Sequence, residues 1–93
     1  MGTRNETIGI KDLKEMLVRQ GSRCALTGVE LTPENCALDH IVPLCRGGAH
    51  AKENAQLVTS VVNKAKGGLL EREFVALCRD VIAFFDRKKN GSP

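Results

Sequence analysis

The sequence has no tryptophan, no tyrosine and only three phenylalanines. That excludes the rows of exposed aromatic rings on which single-strand binders stack bases. No run approaches the ~20 apolar residues of a membrane span. The opening residues MGTRNETIGI lack the apolar core of a secretory leader, so the expectation is a cytoplasmic protein with no membrane contact. The cysteines, at 24, 36, 45 and 78, include no C-x-x-C pair. In a reducing compartment they are expected as free thiols, each packing as a small buried hydrophobe.

What is present fits one small domain. A chain of 93 residues supports a single core, and at that size only about 60–65% of the unfolded surface is buried. Stability then calls for a metal, a partner or tight aliphatic packing, and little chain is left for a separate target-recognition domain. Hydrophobic residues at 42% against 27% charged ones place the chain among folded globular proteins rather than disordered ones. The net charge of +3 is unevenly spread: residues 1–62 hold seven basic and seven acidic side chains, residues 63–93 seven and four. The excess lies downstream of Asn63, which suits either a phosphate-facing surface or a solvated helix face.

Along the chain, a frayed start gives way to Ile10, Leu13, Met16 and Leu17 at helical spacing, predicting an amphipathic helix over about 9–20 closed by Gly21. SRCALTGVELTPEN carries turn chemistry between short segments able to pair as strands. CALDHIVPL reads as a strand around a polar Asp39-His40 pair, with Pro43 ending it. CRGGAHAKEN reads as a loop, NAQLVT as a second strand, and the stretch from Ser60 as a short helix stopped at Gly67-Gly68. Leu70, Phe74, Leu77, Cys78, Val81, Ile82 and Phe85 then form a helical stripe expected to be core, giving a helix over about 70–87 and a loose tail.

The polar residues in this frame have the parts that phosphodiester hydrolysis needs. Water must lose a proton near neutral pH, a task suited to histidine. Negative charge on the transition state and on the departing oxygen is met by a hard cation on oxygen ligands. His40 is the candidate base, Asp39 and Asn63 offer a carboxylate and an amide oxygen, and Asn54 closes the glycine loop where its amide can tie backbone groups. Arg46, Lys64 and Lys66 are candidate phosphate contacts. His50, in the same loop, is a candidate contact to a phosphate or a metal-held water.

The runs LDHIVPL, GGAH, ENAQLV and NKAKG, in that order and spacing, resemble the HNH endonuclease family over about residues 22–68. The resemblance implies an α+β fold with the ββα-metal (His-Me finger) motif, flanked here by N- and C-terminal helices, as one domain over 1–93. It implies His40 as the base that activates water, Asn54 as the residue orienting the histidine loop, and Asp39 and Asn63 as ligands of one divalent cation, Mg2+ or Mn2+. That makes an H-N-N variant. Many members also hold a zinc on two C-x-x-C pairs, but the matching positions here are Cys24 and Thr27, then Thr59 and Val62. No structural zinc is therefore expected, and the flanking helices must supply the packing instead.

The implied activity is metal-dependent nicking of DNA, expected to be double-stranded, with limited sequence preference, by a monomer or weak dimer of bacterial or phage origin. Two rivals stand beside it. The chain could be the cutting subunit of a larger phage packaging or restriction assembly, or a non-catalytic DNA-binding module with the HNH shape.

Overall fold

The computed structural model of the chain describes residues 8–91. The expected frayed start at 1–7 and the end of the expected tail at 92–93 lie outside the described residues. The rest is a small α+β fold of three helices and one two-stranded sheet: α1 (Ile10–Arg19), β1 (Cys36–His40), β2 (Ala55–Thr59), α2 (Ser60–Lys66) and α3 (Glu71–Lys89). No helix among the described residues is long and apolar enough to cross a membrane.

Helix α1 begins where the Asp12 carboxylate accepts the Gly9 backbone N–H at 3.0 Å, filling one of the partnerless donors of a first turn. It buries Met16 completely and rests Leu13 and Leu17 against the core. Ile10, expected on the same face, is 72% exposed, although Ile8 before it packs against the core. Met16, Cys24, Leu31, Ala55, Leu57 and Val58 form the buried cluster between α1, β2 and the connecting loop.

That loop holds less strand than its turn residues suggest. Arg23 and Glu30 form a single antiparallel bridge around the turn that Gly28 closes at φ +77°. Its main work is to cover the outer edge of β2: Ala25 N–H donates to the Leu57 carbonyl at 3.0 Å. The Gln20 side chain completes that edge, donating to the Leu57 carbonyl and accepting the Leu57 N–H, both at 2.9 Å. A helix-terminal glutamine thus stands in for a third strand, meeting backbone groups that would otherwise lack partners.

Strands β1 and β2 pair antiparallel in an unbroken register from Cys36 opposite Thr59 to His40 opposite Ala55. A slip of one residue would turn Leu57, buried on β2, and Asp39, buried on β1, to the opposite faces. The Thr59 hydroxyl caps α2 by accepting the Val62 N–H at 3.3 Å. Gly67, at φ +51°, ends the helix.

Helix α3 departs from expectation. Its apolar stripe was expected to be core, yet Leu77, Val81 and Phe85 are 48%, 55% and 62% exposed. The stripe is real, but among the described residues only its start, at Leu70 and Phe74, is half-buried, and nothing covers it from Leu77 onward. The helix also runs on through Arg87–Lys89, which the sequence suggested as tail. Of the cysteines, only Cys24 is buried and Cys36 is half-buried; Cys45 and Cys78 are exposed, against the expectation of packed thiols, because the surfaces that bear them face outward.

Met16 is the one residue of α1 that is fully buried, with Leu13 and Leu17 packed beside it and the Gln20 side chain bonded to β2. The Met16→Ala variant is expected to lose about 2–5 kcal/mol of stability, read as a lower urea midpoint. A loss below about 0.5 kcal/mol, typical of surface positions, would contradict this packing.

Candidate functional site

The end of β1, the start of the following loop and the last turn of α2 meet around a cavity of about 290 Å3. Asp39, His40 and Asn63 line it together with Pro43, Leu44 and Gly68. Three of the four residues singled out for chemistry thus reach one space, although Asp39 and His40 are neighbours in a strand and Asn63 lies 23 positions on. They meet because the strand stops at His40 and α2 folds back over both strands.

The fourth, Asn54, shapes the loop instead. Its Oδ1 accepts the Val42 N–H at 2.9 Å, and its Nδ2 donates to the carbonyls of Val42 at 3.0 Å and Ala49 at 2.8 Å. Both ends of the loop after β1 are thereby clipped to the residue that opens β2. The clip requires Gly48: a Cβ there would stand 1.8 Å from the Val42 carbonyl oxygen and 2.9 Å from Asn54 Nδ2. Sequence reasoning found both residues, but the backbone approach that forces the glycine is visible only in three dimensions.

His50 comes back over this clipped loop to His40. His40 Nε2 and His50 Nδ1 are 2.9 Å apart, with ring centroids separated by 5.1 Å. Partial burial and the nearby His50 hold His40 below the usual histidine range, and Lys66 adds to this against the opposing pull of Asp39. The imidazole is therefore mainly neutral at pH 7, the form able to accept a proton.

Two expected phosphate contacts are engaged within the fold, and Lys66 is buried there. Lys66 is 1% exposed. Its ammonium donates to Asp39 Oδ1 at 3.0 Å, to the His40 carbonyl at 3.1 Å and to the Ile41 carbonyl at 3.4 Å. Three donors meet three acceptors, which is why a lysine can be buried here. Arg46 is bidentate on Glu73, at 2.9 and 3.2 Å, and also donates to the Gly68 carbonyl at 3.2 Å. It ties the loop after β1 to the first turn of α3. Lys64 alone of the three is exposed at the surface without an ion pair among the described residues.

Asp39 and Asn63 bring oxygen donors to this cavity, and Lys66 already neutralises the Asp39 carboxylate. Asp39 is 4% exposed and its second oxygen, Oδ2, accepts from Gln56 Nε2 at 2.9 Å. Each carboxylate oxygen keeps a lone pair beyond these bonds, and the Asn63 amide lines the same cavity. Among the described residues no three His, Cys, Asp or Glu side chains cluster as a metal cage. Two oxygen donors on an open cavity match Mg2+ or Mn2+, ions that keep several waters, better than a metal needing a full protein shell. The chain matches no protein-family model and no curated protein.

Two outcomes follow from these ion pairs. The Lys66→Ala variant strands a buried carboxylate and is expected to lose about 3–5 kcal/mol in urea unfolding; a loss below about 1 kcal/mol would mean a solvated pair. For Glu73, the Arg46 guanidinium and then the Leu70 N–H hold its carboxyl at about 2. Its folded value is depressed, so any stability it contributes is present above the ordinary carboxylate range and fades as pH falls toward 2. A carboxyl NMR titration should place its midpoint there, and Arg46→Ala should raise it; an ordinary midpoint in the parent chain would refute the pairing.

Proposed function

We propose that this chain is a divalent-metal-dependent DNA endonuclease built on the ββα-metal motif, an H-N-N member of the HNH type. The observation that carries the reading is the convergence of Asp39, His40 and Asn63 on one cavity beside a loop clipped by Asn54. The antiparallel strand pair followed directly by α2 suits the strand–loop–strand–helix order of that motif.

His40 acts as general base. A neutral imidazole that donates through Nε2 to His50 Nδ1 leaves its own Nδ1 as the proton acceptor. When His40 takes a proton from water, the water oxygen attacks phosphorus and the bond to the 3′ oxygen breaks, leaving a 5′ phosphate. The new positive charge on His40 is shared with His50 through the hydrogen bond, so His50 is a positioning residue that holds the ring and its tautomer. Asn54 fixes the loop that brings His50 back. Asp39 and Asn63 would hold the cation, which supplies charge stabilisation to the transition state and the leaving oxygen. Lys64 is the remaining candidate for backbone phosphate, and the lack of aromatic platforms favours a duplex. One site per chain implies nicking rather than concerted double-strand cleavage.

The test is a supercoiled plasmid incubated with the pure chain in magnesium, manganese or chelator. Metal-dependent open circles are expected, with His40→Ala lowering the rate about 100- to 10,000-fold and His50→Ala about 10- to 100-fold. Cleavage that survives in His40→Ala removes the base assigned here. An intact plasmid under every metal favours a cutting subunit that works only within a larger assembly.

A further inference from the structure

Among the described residues, the longest run of exposed apolar side chains lies on α3. The helix spans 19 residues, about 28 Å at 1.5 Å per residue. Phe74, Leu77, Val81 and Phe84 follow one another at steps of three, four and three, the spacing of a two-helix seam. Leu77, Val81 and Phe84 are 48%, 55% and 52% exposed, and Phe85, beside the seam, is 62% exposed. A contiguous apolar face of this kind on a small domain marks an association surface.

We propose that α3 pairs antiparallel with α3 of a second copy of this chain. Charge selects both the partner and the direction. The first turn of α3 carries Glu71 and Glu73, and the last carries Arg87, Lys88 and Lys89. Antiparallel pairing sets the acidic end of each copy beside the basic end of the other, whereas parallel pairing sets like against like. Along one flank, Glu73, Asp80 and Arg87 recur at seven-residue steps. Reversal about the helix midpoint brings Glu73, already held by Arg46, toward Arg87 of the second copy. Arg72, Arg79 and Asp86 recur in the same way on the side away from the seam, so they do not oppose the pairing. Asp80 is the exception: reversal brings it close to Asp80 of the second copy. The proposal does not rest on nuclease activity, and the dimer would carry two of the cavities described above.

Sedimentation equilibrium of the whole chain over a dilution series tests it. The mass is expected to rise with concentration to twice the 10.1 kDa of one chain. Val81→Lys, at a position exposed in the single copy, should remain at the single-chain mass with unchanged circular dichroism. Raising salt from about 0.05 to 0.5 M should loosen the dimer as the complementary ends are screened. Asp80→Asn should tighten it about 2- to 5-fold by removing a like-charge contact. A single-chain mass at every concentration would overturn the proposal and assign the stripe to another protein or segment. A dimer unaffected by Val81→Lys would put the contact elsewhere, and one strengthened by salt would overturn the antiparallel direction.

Discussion

The ion pair between Lys66 and Asp39, with side chains 0% and 5% exposed, sets the geometry on which the rest of the site depends. Burying an ammonium and a carboxylate costs several kcal/mol per ion before any partner is found. The cost is offset only while Asp39 and the carbonyls of His40 and Ile41 all stay within reach of one nitrogen. The last turn of α2 is therefore held against the end of β1 at a fixed distance. Asn63 sits one helical turn before Lys66, so its place beside Asp39 and His40 follows from the same bond.

Apolar burial is too small to do this everywhere. Among the described residues six hydrophobic ones are buried, a modest core for a domain in the size range where folding is marginal. The remaining order comes from side chains that bond backbone: Gln20 on Leu57, Asn54 on Val42 and Ala49, Lys66 on His40 and Ile41. Each meets backbone groups that lie at a strand edge or in a loop. The Arg46–Glu73 pair ties in α3, but with both side chains 39% exposed it works through solvent-screened charge. Helix α3 is thus the element least determined by its own chain, in keeping with its uncovered stripe.

Local pattern made the elements legible, and only tertiary geometry could reveal the pairings. The apolar residues around the Asp39-His40 pair and the short run NAQLVT placed the strands, the apolar spacing placed α1, and Gly67 marked the stop of α2. Lys66 and Arg46 read as surface cations because a charge in sequence carries no sign of its partner, and those partners lie 27 residues away. The same limit hid the bond between His40 and His50, since it depends on how the clipped loop returns. For α3 the spacing named the apolar face correctly, but periodicity cannot say whether anything covers that face.

The electrostatics around His40 draw these threads together. A lone carboxylate beside a histidine stabilises the imidazolium and would keep the ring protonated near pH 7. Here Asp39 exerts that pull, but Lys66 sits on the same carboxylate and works against it, while burial and His50 press in the same direction as Lys66. The net effect is a lowered affinity for protons and a ring held neutral. Burial of the ring comes first in this balance and the neighbouring His50 second, while Lys66 adds least. The proton affinity of His40 therefore depends above all on the end of β1 and on the clipped loop that returns His50 to it.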